Sequence, residues 1–202
     1  IENITERKTK LIQTIKRPVP LVDLLWKQGH WILPQACGLK IKSHDKKNYY
    51  RKYLHKANYQ LKDLVLSLKE LINLELIPCL IYGARRLQCQ TLAESICNYL
   101  PKIDLHKKKK IQDLLKTLNQ EYNYLEYLPE NLKKMIEEYA VAYHHSGLTP
   151  AARIIIEVLL KSGDLNFCIS TMGLSLGVNF SVKSVIICDY KRPDESGEVF
   201  YT

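Results

Sequence analysis

Three short stretches of the chain carry residue types suited to binding a polyanion. They are Gly83-Ala84-Arg85-Arg86, His144-His145-Ser146-Gly147-Leu148, and Ser170-Thr171-Met172-Gly173-Leu174-Ser175-Leu176-Gly177-Val178-Asn179. Glycine lets a backbone approach a phosphate closely, hydroxyls and exposed amides donate to its oxygens, and arginine supplies a planar charged fork. Each stretch taken alone also has a plainer reading. Arginines that open a helix after a strand commonly just meet solvent, and glycines satisfy tight turns. His144 and His145 are adjacent, so on a strand they point to opposite faces and cannot share one metal ion. The pair therefore reads as containing a core or capping histidine, with no metal site.

The elements that must hold these stretches follow from periodicity. Cys79-Leu80-Ile81-Tyr82 is a short continuous apolar run, the mark of a strand buried on both faces, and Cys89, Leu92, Ala93, Ile96, Cys97 and Leu100 behind it keep helical spacing. A second strand, Ala140-Val141-Ala142-Tyr143, runs through HHSGL into a helix with Thr149 as N-cap and Pro150 as its first residue. Ala151, Ile154, Ile155, Val158 and Leu159 form its expected apolar stripe, and Gly163 its left-handed stop. Phe167-Cys168-Ile169 is a third strand, and it leads through STMGLSLGVN to a fourth, Val185-Ile186-Ile187-Cys188. Strands alternating with amphipathic helices imply an α/β fold, a parallel sheet flanked by helices. Residues 101–138 are polar and helix-prone, with Ile111, Leu114, Leu115 and Leu118 on one face, and read as a helical insertion between two strands. Residues 59–77 read as a helix leading into the first strand, and RPVPLVDLLW and GHWIL as a pair of extended segments, because prolines at alternate positions forbid a helix.

Charge is unevenly placed. Residues 1–60 hold 13 Lys and Arg against 4 Asp and Glu, which accounts for the whole net charge of +9; the 17 of each sign in residues 61–202 cancel. A basic segment attracts a phosphate backbone through counterion release, and it also serves as a solvated face that binds nothing. The run Lys107–Lys110 is open to the same two readings, with an exposed helix surface the plainer. Tyr49, Tyr50, Tyr53 and Tyr59 interleave with Lys46, Lys47, Arg51, Lys52 and Lys56, a mixture that either stacks bases while neutralising phosphates or packs its tyrosines on the domain. The six cysteines are scattered without a C-x-x-C pair, which reads as a reducing, intracellular compartment, cytoplasm or nucleus. No apolar stretch approaches the roughly 20 residues that a spanning helix needs, so no membrane role is expected. The start at Ile1 and the end at Thr202, after what reads as an acidic loop, imply a piece of a longer protein.

Order and spacing are more specific than any one loop. RPVPL, then a strand ending in aromatic-x-x-basic, then HHSGL-x4-R, then ST-x-G-L-x-L-G-V-N before a further strand, resembles the second RecA-like domain of superkiller-type DExH helicases over residues 17–189. The resemblance implies a domain at 61–202 with a helical insertion at about 101–138, cut short before the closing arginine-finger motif, preceded by a basic extension over 1–60. It makes Thr171 the strand-gripping hydroxyl, places His145, Gly147 and Arg153 beside the strand path, and sets Gly177 and Asn179 facing the nucleotide across the cleft. Where the family usually carries a serine, this chain has Arg85, so a charged contact would replace a hydroxyl one; after Asn179 the usual leucine-proline-alanine is Phe180-Ser181-Val182. The implied partners are a single-stranded nucleic acid, RNA rather than DNA, and the first RecA-like domain of the same parent chain. The implied cofactors are ATP and magnesium in the full-length protein. The sequence holds no G-x-x-x-x-G-K-[ST], DExH box or arginine finger, so this stretch alone is expected to bind no cofactor stably and to be catalytically silent. The alternative is a non-catalytic nucleic-acid or protein docking module derived from such a domain. An unrelated α/β enzyme is disfavoured, because no residue set forms a nucleophile and base.

Overall fold

The computed structural model describes residues 61–83, 85–171, 174 and 182–188 with side chains, and 25–27, 30–32, 191–194 and 197–200 as strand backbone. The chain divides into two compact units, Ile1–Ile41 and Lys42–Thr202. In the first, β1 (Leu25–Lys27) and β2 (His30–Ile32) pair antiparallel, with Trp26 opposite Trp31, as the two extended segments require. The RPVPL motif and the tyrosine-lysine stretch lie outside the described residues.

The second unit is built on a four-stranded parallel sheet in the order β4-β5-β3-β6: β3 is Cys79–Tyr82, β4 Val141–His144, β5 Phe167–Ser170 and β6 Ser184–Ile187. Every position of β3, β4 and β5 is buried, as continuous apolar runs predict for parallel strands covered on both faces. The fourth strand departs from that expectation. It starts one residue early, at Ser184, whose hydroxyl donates to the Leu76 carbonyl at 2.7 Å, and as an edge strand it leaves Val185 and Ile187 50% and 60% exposed. Continuous apolar sequence marks a strand but does not say whether both of its faces are covered.

Helices pack on this sheet. α1 (Leu61–Asn73) buries Leu64, Val65, Leu68 and Leu71, and α2 (Arg86–Cys97) buries five of the six residues of the predicted face, Cys89, Leu92, Ala93, Ile96 and Cys97; the sixth, Leu100, is buried just past its end. α5 (Pro150–Lys161) starts at the predicted cap, Thr149 accepting from the Ala152 amide at 3.2 Å, and Gly163 follows it at φ 76°. Its buried stripe is Ala152, Ile155, Ile156, Leu159 and Leu160, so the expected stripe through Ala151, Ile154 and Val158 is rotated by one residue. PAARIIIEVLL is apolar at adjacent positions, two stripes about 100° apart both fit it, and packing against β4 and the insertion selects one.

The insertion comprises α3 (Leu105–Tyr122), a single 3-10 turn at Tyr124–Tyr127 and α4 (Glu130–Tyr139). Ile111 and Leu115 are buried, with Leu114 and Leu118 half-buried on the same side. Asp104 caps α3, and left-handed Asn123 and Ala140 end α3 and α4. Two residues of the lysine run are anchors: Lys110 pairs with the buried Asp164 at 2.6 Å and Lys107 donates to Asn166, both just before β5. The run is a clamp between insertion and sheet, a use that composition alone does not reveal. Finally, Lys191–Asp194 and Gly197–Phe200 form an antiparallel hairpin, β7–β8, with a two-residue connection where an acidic loop was expected. Pro193 on one strand masks the strand signal there.

Candidate nucleic-acid interface

Parallel strands in register deliver their loops to one edge. Tyr82 lies opposite both Ser170 and Ile187, and His144 opposite Ser170, so the last residues of all four strands form one row. The ladder then runs one residue further. The Gly83 amide donates to the Ser170 carbonyl at 2.9 Å, the Thr171 amide to His144 at 3.3 Å, and the Cys188 amide to Tyr82 at 3.1 Å. Ligands of open α/β sheets sit beyond this carboxyl edge, and the loops singled out by composition all begin there.

Thr171 is fixed at its backbone and open at its side chain. Its carbonyl accepts from Ser170 Oγ at 2.8 Å and from the Leu174 amide at 3.2 Å, while its hydroxyl has no hydrogen-bond partner among the described residues. A purely structural role, with Thr171 capping the turn after β5, would need that hydroxyl to be engaged in the turn. Arg85 is exposed at the N-cap of α2 in an extended conformation, its own amide donating to Gln88 Oε1 at 3.1 Å. Gly177 and Asn179 lie outside the described residues.

The two histidines part as strand geometry dictates. His144 turns to α5, its Nε2 3.2 Å from Glu157 Oε1, whereas His145 turns to α2, its Nε2 3.0 Å from the Gln90 amide. Both are buried, at 6% and 3% exposure. The His145 ring also lies nearly parallel to Tyr143, with centroids 5.6 Å apart, and its Nδ1 accepts the Gly147 amide at 3.1 Å. Gly147 is glycine for reasons of space: a Cβ there would stand 3.0 Å from Nδ1 and 3.2 Å from Cε1 of that ring, and 3.6 Å from Arg86 Cδ. Arg153 is half-buried, and its Nε and His144 Nδ1 are buried without partners among the described residues. Sequence reasoning passed over Gln90, which shares a helix face with Arg86 one turn earlier; only the fold brings it to HHSGL.

Burial is the leading cause that lowers the pKa of both histidines; Arg153 also depresses His144 against the opposing pull of Glu157, and Arg86 and His144 depress His145. Both rings are thus held neutral when folded, so the unfolded chain binds more protons as pH falls through the ordinary histidine range. Stability from this source is present above that range and is lost as pH drops through it toward the depressed folded values. Thermal melts between about pH 8 and pH 5 should show the melting temperature falling on the acid side; a flat profile would contradict neutral, buried histidines.

Among the described residues no group of three His, Cys, Asp or Glu is placed to hold a metal ion. Burial pushes the thiols of Cys79 and Cys89 up to about 11 and that of Cys97 to about 12, the wrong direction for a nucleophile. No helix among the described residues is long and apolar enough to cross a membrane.

Parts of known proteins are similar to this chain in sequence. The chain is 37% identical to the helicase POLQ-like of Homo sapiens over 117 residues, 56% of this chain and 10% of that protein. It is 27% identical to the antiviral helicase SKI2 of Saccharomyces cerevisiae over 131 residues, 61% of this chain and 10% of that protein. With the ATP-dependent DNA helicase Hel308 of Pyrococcus horikoshii the identity is 32% over 106 residues, 52% of this chain and 14% of that protein. The chain thus spans between a tenth and a seventh of the length of these relatives. The family model of the helicase conserved C-terminal domain matches residues 92–199, from the middle of α2 through the β7–β8 hairpin, and so takes in the HHSGL and STMGLSLGVN loops together with the strands that carry them. On that match, and with the parallel sheet delivering both loops to one edge, the chain belongs to the helicase C-terminal domain family.

Proposed function

We propose that this domain is the second motor domain of an ATP-dependent helicase and grips the backbone of one nucleic-acid strand along the carboxyl edge of its sheet. The observation that carries the reading is the Thr171 hydroxyl, unpartnered among the described residues, on a backbone pinned between β4 and β5. In this reading Thr171 donates to a phosphate, exposed Arg85 adds a charged contact, Gly147 lets the backbone come close, and Arg153 lines the path. His145 is buried with both ring nitrogens engaged, so its part is to shape the loop from behind. Backbone contacts of this kind fix position and are largely independent of sequence.

The assignment of Gly177 and Asn179 to one side of an ATP cleft rests on the family resemblance. So does the first RecA-like domain as the partner that would bring the phosphate loop and magnesium. On the same grounds the chain by itself is expected to show no ATPase activity. The resemblance to superkiller-type helicases favours RNA as the strand; the 32% identity to a protein named as a DNA helicase supports DNA as a second reading.

A salt titration tests the grip. If about 6 phosphates are neutralised on a single strand, the log-log slope of affinity against salt should be about −4, from roughly 0.7 per phosphate. Fluorescence anisotropy with matched RNA and DNA oligonucleotides reads both the slope and the preference, since only RNA offers a 2′-hydroxyl. A flat salt response would favour the docking-module alternative.

A further inference from the structure

The loop that carries Gly147 depends on the protonation pattern of one imidazole. The Gly147 amide can only donate, so the His145 Nδ1 it reaches at 3.1 Å must be unprotonated. A neutral ring with a bare Nδ1 carries its proton on Nε2, and the group facing Nε2 at 3.0 Å is the side-chain amide of Gln90. An N–H cannot be answered by another N–H; the amide oxygen and nitrogen exchange places by a rotation of the side chain, which puts an acceptor at the ring.

We infer that Gln90 is a positioning residue for the strand-binding edge: with its amide oxygen turned to His145 it holds the ring in the Nε2–H form, keeps Nδ1 open to the Gly147 amide, and so sets the course of the Ser146–Gly147 backbone. The inference rests on the strand-grip reading for its functional consequence. Geometry gives the ring little other freedom, since Tyr143 lies against one of its faces and Gly147 sits where no Cβ would fit without moving it. Gln90 belongs to the same helix that Arg85 caps, so the contact ties the arginine loop to the HHSGL loop across 55 residues of sequence. Other charged or titratable groups acting here are Arg86 from α2 and His144 from β4, with Glu157 and Arg153 of α5 bearing on His144. Arg86 and burial both disfavour the imidazolium, so Gln90 governs which nitrogen holds the proton of a neutral ring.

Long-range 1H–15N spectra of the labelled chain report the tautomer directly, and anisotropy with a fluorescent single-stranded oligonucleotide reports the consequence. The unsubstituted chain should show a single Nε2–H tautomer. Gln90→Met, which keeps length and burial but removes the acceptor, should give a mixture of tautomers and weaken strand binding about twofold to tenfold, as for one net hydrogen bond. Gln90→Glu should restore both at high pH, because its carboxylate accepts from Nε2–H. It should then lose strand affinity toward lower pH as the favoured imidazolium turns Nδ1 into a donor against the Gly147 amide, a profile displaced from that of the unsubstituted chain. A pure Nε2–H tautomer in Gln90→Met, or a Gln90→Glu profile superimposable on the original, would overturn the inference, and the second variant decides if the first does not fold. If the unsubstituted chain binds no strand at all, the grip reading fails while the ring spectra still decide the role of Gln90.

Discussion

Replacing Phe167 by alanine is expected to destabilise the domain by about 3 to 5 kcal/mol, the range for truncating a buried phenylalanine to leave a cavity. Phe167 opens β5, an interior strand of the sheet, in register with Val141 of β4 on one side and Cys79 of β3 on the other, and all three are fully buried. Its neighbours are committed to strand positions and cannot close the space without breaking the ladder. Against a typical domain stability of about 5 to 15 kcal/mol, that loss is a large share of the total. Urea denaturation followed by circular dichroism should show the midpoint falling with little change in slope. A loss under about 1 kcal/mol would mean that the site collapses freely, which a parallel strand paired on both sides does not allow.

What the sequence disclosed, and what it withheld, follows from which signals are local. Cys79–Tyr82 and the five-residue face of α2 were legible because continuous apolar runs and helical spacing each have one physical meaning there. Thr149-Pro150 and Gly163 marked the ends of α5 for the same reason: a cap, a preset φ and a left-handed stop are one-residue devices. The register of the α5 stripe was not legible, since three consecutive isoleucines satisfy more than one stripe until a neighbour selects among them. Nor was the lysine clamp, because Asp164 and Asn166 lie more than fifty residues beyond the lysines they hold. The candidate site shows the same division. Its loops were identifiable from glycine, hydroxyl and arginine content, yet the burial of His145 and its bond to Gln90 depend on a helix and a strand meeting far from each other in sequence. Gly147 stood out as a glycine, and its reason, the imidazole that a side chain would strike, is a property of the fold.

Thr171→Val should weaken binding to a single strand by about 0.5 to 3 kcal/mol, as for a lost hydrogen bond to a charged group, which is roughly twofold to a hundredfold in affinity. Valine keeps the β-branched shape and removes only the hydroxyl. The bonds that pin this residue run through its backbone, to His144, Ser170 and Leu174, and survive the substitution. Folding should therefore be spared, because no partner of the hydroxyl is lost among the described residues. If Thr171 instead caps the turn after β5, the forecast reverses: the melting temperature drops and affinity per folded molecule stays the same. The decisive measurement is strand affinity and melting temperature on one preparation of the Thr171→Val chain beside the unsubstituted chain. A lowered affinity with an unchanged melting temperature is the predicted result; a lowered melting temperature with intact affinity would contradict the strand-grip account at its central residue.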